Sequence, residues 1–394
     1  MAKILLMSHC VPPIIRGPSV IISRLFKRFS SQSYVVLTSE YQRKNLPLSQ
    51  ELTLPANYYY VNIDTIVGGC SNKFLSTVKR WLEVIPIVIK GCKVIFKESC
   101  DRILVSPTHG NILLASYIIH KICRKKLFVY LFDLFDQDES KYNFEKYLKR
   151  ISEKLSLNAA EAVFVMSEKL KEHYQARYPN LKIYIIRHPT ESNIGTNINK
   201  WSQMDIRKMP SRIVFTGMIY EYQADAIRNI SKAVSEMEGV LFDIYTPREK
   251  KYLEREGILL KNVNYCGSRH ASELIDIQKN ADILFLPMSF HGPGTNPEVI
   301  RTASPSKIGE YLGAGVPILV HAPEDSYIVW YAKKYDFAVV VDKEDINLVK
   351  INIMKLVEDK ELREKIVLNA YEVAKMHNIE KVSKDLFSGL HFGS

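Results

Sequence analysis

No C-x-x-C pair occurs among the six cysteines of this 394-residue chain, Cys10, Cys70, Cys92, Cys100, Cys123 and Cys266. Scattered thiols of this kind form neither a zinc site nor a disulfide framework, so reduced cysteines and no bound metal are expected. Missing too is any run approaching the roughly 18 uninterrupted apolar residues of a membrane span. Met1-Ala2-Lys3 leads straight into apolar Ile4 to Met7, without the long apolar core and small-residue cleavage site of a secretory signal. A cytoplasmic protein is the expectation. No G-x-G-x-x-G follows an apolar run, which argues against a nicotinamide dehydrogenase. Short-period repeats and low-complexity tracts are absent as well.

What is present is the balance of a soluble globular protein, 46% apolar and 25% charged. The length fits about two or three domains. Charge is divided unevenly: Met1 to Lys200 hold 29 Lys and Arg against 16 Asp and Glu, whereas the remainder holds 25 against 27. A basic first half suggests either an acidic partner there, such as a phosphorylated lipid, an anionic membrane surface or nucleic acid, or a merely soluble basic face. Nucleic acid is not expected, because its recognition needs basic and aromatic residues gathered on one platform.

Apolar β-rich runs alternate with helical patterns throughout, which predicts an α/β architecture built on parallel sheets. The first series is Ile4–Met7, Tyr34–Thr38, Tyr58–Ile63, Ile103–Val105, Leu127–Leu131, Ala162–Met166 and Ile183–Ile186. A second starts at Ile213–Thr216 and continues with Leu241–Tyr245, Val263–Tyr265, Ile283–Leu286, Ile318–Val320 and Ala338–Val341, closing on two helices from Asp345 to Leu386. Thr190 to Pro210 lacks periodicity and reads as the connection. The predicted domains are therefore residues 1–195 and 210–375, with a terminal helix at 376–394 packing back on the first. Asn72 to Glu98 interleaves lysines with apolar residues and reads as a basic amphipathic helix kinked at Pro86. Its apolar face either packs on the first sheet or lies in a membrane interface.

The most specific stretch is Ser304-Pro305-Ser306-Lys307-Ile308-Gly309-Glu310-Tyr311-Leu312-Gly313-Ala314-Gly315-Val316-Pro317. Ser304 suits an N-cap, Pro305 a first helical position and Gly315 a C-terminal cap. The loop follows a strand, at the end of a sheet where ligands bind. Free backbone N–H groups at the helix start that Pro305 opens, with the Ser306 hydroxyl and the Lys307 ammonium, suit phosphate. Glu310, one turn on, can accept from two ribose hydroxyls. These parts fit a nucleoside diphosphate. His109, in Ser106-Pro107-Thr108-His109-Gly110, and Asp133, in Leu131-Phe132-Asp133-Leu134, follow strand ends and are candidate catalytic groups. Asp136-Gln137-Asp138 either holds a divalent metal or begins a solvated helix; the second reading is preferred, and no metal or cofactor is expected.

With these motifs in order, the chain resembles the GT-B-fold glycosyltransferases, especially the retaining family four, and among them bacterial surface-polysaccharide transferases. The resemblance rests on the Pro305 to Pro317 stretch, on Ile4 to Pro13 with Arg16-Gly17-Pro18-Ser19, on Ala159 to Glu168, and on Ile213-Val214-Phe215-Thr216-Gly217. It implies two Rossmann-like domains facing across a cleft, an acceptor domain and a donor domain. It also implies Gly17 and Gly217 in glycine turns beside the donor, and transfer from a UDP- or GDP-sugar with retention to a lipid-linked or polysaccharide acceptor on the cytoplasmic face of a membrane. Two departures stand out. Thr302 occupies the place of the family's first paired glutamate, and Met218 to Gln223 lack the Arg and Lys expected after Gly217. Positive charge then falls to Lys307, Arg301 and Arg269. The competing functions are a sugar-nucleotide 2-epimerase of the same fold and a non-enzymatic nucleotide-sugar-binding protein.

Overall fold

The computed structural model describes residues 3–40, 44, 48–62, 73–135, 143–190, 211–291 and 296–390. The chain divides into two compact units, one of Met1–Pro189 with Ile379–Ser394 and one of Thr190–Asn378. Most of the segment read as the connection, 191–210, lies outside the described residues.

The first unit holds β1 (Ile4–Met7), β2 (Tyr34–Ser39), β3 (Tyr58–Val61), β4 (Arg102–Val105), β5 (Lys126–Leu131), β6 (Ala162–Val165) and β7 (Ile183–Ile185). They form one parallel sheet ordered β3-β2-β1-β4-β5-β6-β7. Every residue of β1, β2 and β6 is buried. A parallel sheet covered on both faces requires such continuous apolar runs, which is why these strands show no alternation. The helices are α1 (Gly17–Phe26), α2 (Lys73–Leu82), α3 (Val84–Glu98), α4 (Gly110–Cys123), α5 (Asn143–Ala159) and α6 (Glu168–Arg177). The chain's final helix, Ile379–Gly389, belongs to this unit: its Ile379, Val382 and Leu386 share a core with Ile22 and Phe26 of α1 and Leu6, Phe128 and Phe164 of the sheet.

The predicted kink at Pro86 is instead a break at Glu83, between α2 and α3. Pro86 falls in the first turn of α3, where a missing N–H leaves no helical hydrogen bond unmade. Val84, Ile87, Gly91, Val94 and Ile95 form the buried side of α3. A Cβ at Gly91 would meet the Ile119 side-chain terminus of α4, so a larger residue there must displace that side chain.

The second unit holds β8 (Ser211–Thr216), β9 (Val240–Tyr245), β10 (Val263–Tyr265), β11 (Ile283–Pro287), β12 (Ile318–His321) and β13 (Val339–Val341). All are parallel, ordered β10-β9-β8-β11-β12-β13. Side chains alternate between two cores: Ile213, Phe215, Ile283 and Phe285 enter one, Val214, Leu284 and Leu286 the other. The helices are α7 (Ala224–Ser235), α8 (Lys250–Arg255), α9 (Ala271–Lys279), α10 (Pro297–Thr302), α11 (Ile308–Gly313), α12 (Tyr327–Tyr335), α13 (Ile346–Glu358) and α14 (Lys360–Ala374). With α15 (Ile379–Gly389), the tail read as two helices is three. Asp359, whose carboxylate accepts from the Leu362 N–H at 2.9 Å, caps the start of α14 and separates it from α13.

Candidate functional site

In a doubly wound sheet, ligands collect beyond the carboxyl ends of the strands where the strand order reverses. In the second unit that point lies between β8 and β11. Strand β8 is followed by Gly217 at φ +107°, a left-handed conformation that favours glycine. The Gly217 N–H donates to the Tyr245 carbonyl at the end of β9 (2.8 Å). The chain after β11 passes through α10 and a turn, bringing Lys307 back to the same point. Its Nζ lies 3.6 Å from the centroid of the Phe215 ring. A Cβ on Gly217 would stand 3.4 Å from Nζ.

Lys307 is half-buried as a residue, but its ammonium is sealed from solvent and has no hydrogen-bond partner among the described residues. Burial pushes its pKa down to about 7, against an upward pull from the Glu310 carboxylate. The ring face of Phe215 offsets part of the desolvation, because its quadrupole attracts a cation. The result is a buried amine that has no hydrogen-bond partner among the described residues, beside the strand ends where ligands collect in such sheets.

Residues not singled out in the sequence hold this arrangement. The Thr216 N–H donates to the Tyr311 hydroxyl (3.0 Å) and the Gln278 amide donates to Thr216 Oγ1 (3.0 Å), pinning α11 and α9 to β8. The buried Asp225 carboxylate accepts from Ser289 Oγ (2.7 Å) and from the N–H groups of Phe290 and His291 (3.0 Å each), fixing the turn after β11. Nothing in the local sequence around Asp225 announces this role, because its partners lie 64 to 66 residues away.

Several expected details differ. Helix α11 begins at Ile308 with Lys307 as its N-cap, so Ser304 is not the cap and Pro305 is not its first residue. The predicted cap grammar occurs one helix earlier: the Asn296 side chain accepts from the Glu298 N–H, and Pro297 opens α10. Pro305 is buried and Ser306 is exposed, in the turn that presents Lys307. Arg301 is clamped by Glu298 through two hydrogen bonds of 2.9 and 2.7 Å. Thr302 is buried and donates to the Glu298 carbonyl (2.6 Å), so its side chain serves the helix. Arg269 is exposed, 5.8 Å from the Tyr245 ring, near the strand ends that hold Gly217.

In the first unit the order reverses between β1 and β4. His9 follows β1 and His109 follows β4, their ring centroids 6.1 Å apart. A cavity of about 230 Å³ brings together Pro18, Thr108, His109, Phe132, Asp133 and Lys149. Both candidate catalytic residues of this unit therefore line one cavity, Asp133 exposed and His109 half-buried. Gly17, the first residue of α1, is exposed with open space where a Cβ would be.

Burial pushes His109 down to about 3, and His9, Arg80, Lys149 and Arg16 lower it further. His9, missed in the sequence, is buried, and desolvation holds it at about 4. Both rings are neutral at ordinary pH. His9 Nε2 lies 3.4 Å from the Asn111 carbonyl oxygen, and the Asn111 amide donates to Glu83 (3.0 Å). If Nε2 carries the proton, Nδ1 is an acceptor with no partner among the described residues. Asp136-Gln137-Asp138 lies outside the described residues. Among those described, no cluster of three or more His, Cys, Asp or Glu residues could hold a metal.

No family model and no curated protein matches this chain. Solved structures do. Sucrose-phosphate synthase from Thermosynechococcus elongatus matches with a TM-score of 0.71 at 11% identity, over 98% of both chains. Trehalose-6-phosphate from E. coli, bound with UDP-2-fluoro glucose, matches at 0.68 and 11% over 100% of both. Anabaena Alr3699/HepE in complex with UDP matches at 0.66 and 14%, over 98% of this chain and 99% of that one. At such identities the likeness establishes the fold: the chain is an α/β protein of the GT-B type, with two Rossmann-like parallel-sheet domains.

Proposed function

We propose that this protein is a glycosyltransferase that takes a sugar from a nucleoside diphosphate donor. The observation that carries the reading is Lys307, whose Nζ is buried over Phe215 and against the Gly217 turn with no hydrogen-bond partner among the described residues. A diphosphate placed there completes an ion pair whose cation has already been desolvated. As the sugar leaves, negative charge grows on the diphosphate, and Lys307 stabilises it most in the transition state. Glu310 accepts from the ribose hydroxyls. Because Lys307 supplies the positive charge, transfer proceeds without a cofactor or a metal, and chelation with EDTA leaves it unchanged.

In the first unit, neutral His109 offers a hydrogen bond to a sugar hydroxyl, and the Asp133 carboxylate orients the acceptor hydroxyl. The acceptor class is a lipid-linked or polysaccharide glycan, supported by the basic first half of the chain. Retention of configuration and the donor nucleotide, UDP or GDP, are the expectations of the resemblance. UDP and a UDP-sugar occupy two of the similar structures.

Thermal unfolding with UDP, GDP, ADP and their sugar conjugates tests the reading. One nucleoside diphosphate should stabilise the protein, and Lys307→Ala and Glu310→Ala should each remove most of that shift. Stabilisation by none of them removes the donor site and the transferase with it.

A further inference from the structure

Helix α3 has two sides. Val84, Ile87, Gly91, Val94 and Ile95 pack inward. The outward side is also apolar: Ile85, Ile89 and Phe96 are 57%, 52% and 71% exposed, and Leu82, across the Glu83 break, is 59% exposed. At roughly 100° per residue, Ile85, Ile89, Lys93, Phe96 and Lys97 fall within about a third of the helix circumference. On α4 beside it, Ile122 is 59% exposed. Cys92 of α3 touches Cys123 of α4, which sets Ile122 level with the middle of that stripe.

Lys79, Lys93 and Lys97 are exposed around these side chains. Glu83, the one carboxylate between residues 73 and 97, is buried and accepts from Asn111. Glu98, at the end of the helix, is occupied by Lys3, Tyr59 and Asn57. The surface is therefore apolar at its centre and positive at its rim, without an exposed acid on the α3 stripe.

We propose that this face of α3 docks on an anionic lipid surface, with Ile85, Ile89 and Phe96 entering the headgroup boundary and Lys79, Lys93 and Lys97 among the headgroups. Large aliphatic and aromatic side chains on one face with lysines beside them are what an interfacial helix requires. A second copy of the chain fits less well, since a two-fold interface through this face sets lysine against lysine. A protein partner fits less well too, because lysine is depleted at such interfaces. No helix among the described residues is long and apolar enough to cross a membrane, so docking lies in the interface. The inference stands on the surface of the first unit and is independent of nucleotide binding.

The test is co-sedimentation of the full chain with vesicles of phosphatidylcholine alone and of phosphatidylcholine with an equal share of phosphatidylserine. Two variants accompany it, Lys79→Glu/Lys93→Glu/Lys97→Glu and Ile85→Ser/Ile89→Ser/Phe96→Ser, both checked for an unchanged unfolding midpoint. Binding is expected to the phosphatidylserine vesicles alone and to weaken with salt. The charge variant should lose at least about fivefold in affinity per lysine, and the apolar variant at least about tenfold. Wild-type protein left in the supernatant with anionic vesicles overturns the proposal, as does equal binding by either variant. A dimer in sedimentation velocity that the apolar variant abolishes, without lipid binding, assigns the face to self-association instead.

Discussion

Lys307 was legible in the sequence as a cation near a strand end, but its environment was not. Phe215 and Gly217 reach it only through the folding of a segment about ninety residues away, and burial of this kind has no local signature. Its effect on stability has a definite sign. The pKa falls from the ordinary lysine value of 10.5 to about 7 on folding. Between those values the unfolded chain holds a proton that the folded chain has lost, so stability rises with pH across the window and is lost as pH falls toward 7. In ligand-free protein, Lys307→Met should be more stable than wild type near neutral pH, by on the order of 3–5 kcal/mol, with the difference shrinking toward about pH 10. Urea unfolding at both pH values measures it. Diphosphate affinity should move the opposite way in the wild type, weakening above about pH 7 as the ammonium deprotonates, and calorimetric titration reads that trend. At Gly217, alanine meets both the positive φ and the 3.4 Å approach of Nζ. A loss of about 1–2 kcal/mol is expected, with a disproportionate loss of nucleotide binding.

His9 gives a second residue-scale prediction, of the same sign in a more acidic window. Its folded pKa is about 4 against the ordinary histidine value of 6.5, so the neutral buried ring contributes stability above about pH 6.5 that is lost as pH falls toward 4. His9→Gln retains an amide donor for Asn111 without titrating. It should lose roughly 3 kcal/mol less than wild type over that interval, measured by chemical unfolding at each end.

At the scale of elements, strands were the readable part. Runs such as Ile4–Met7 and Ile283–Leu286 are continuous and apolar because both faces of each sheet are covered, so the pattern and its cause coincide. Helix starts were less readable. Ser304-Pro305 and Asn296-Pro297 have the same cap grammar, and only the second pair opens a helix. The difference is tertiary: the chain at Ser304 and Pro305 is buried, and the turn that follows is set by where Lys307 and Tyr311 must reach. Tyr311→Phe should therefore loosen α11 by removing the acceptor of the Thr216 N–H. A cost of about 1–3 kcal/mol is expected, together with weaker diphosphate binding, because Lys307 opens the same helix.

At the scale of the whole molecule, sequence order and structural membership part company at Asn378. Helix α15 comes after the last residue of the second unit, yet Ile379, Val382, Leu386 and Leu390 are buried in the core of the first. Gly389 makes the seat specific, since a Cβ there would stand 2.5 Å from the Phe164 ring. Four fully buried aliphatic side chains are worth about 6–12 kcal/mol as an upper estimate, comparable with the total stability of a domain at about 5–15 kcal/mol. A chain ending at Asn378 should therefore lose the thermal transition of the first unit or have it lowered by many degrees. The second unit keeps its own sheet and Lys307, so the transition that responds to a nucleoside diphosphate should persist. Scanning calorimetry of full-length and shortened chains, with and without the stabilising nucleotide, separates the two. Loss of both transitions together would mean that the second unit cannot stand without the first; an unchanged first transition would mean that α15 covers the core without holding it.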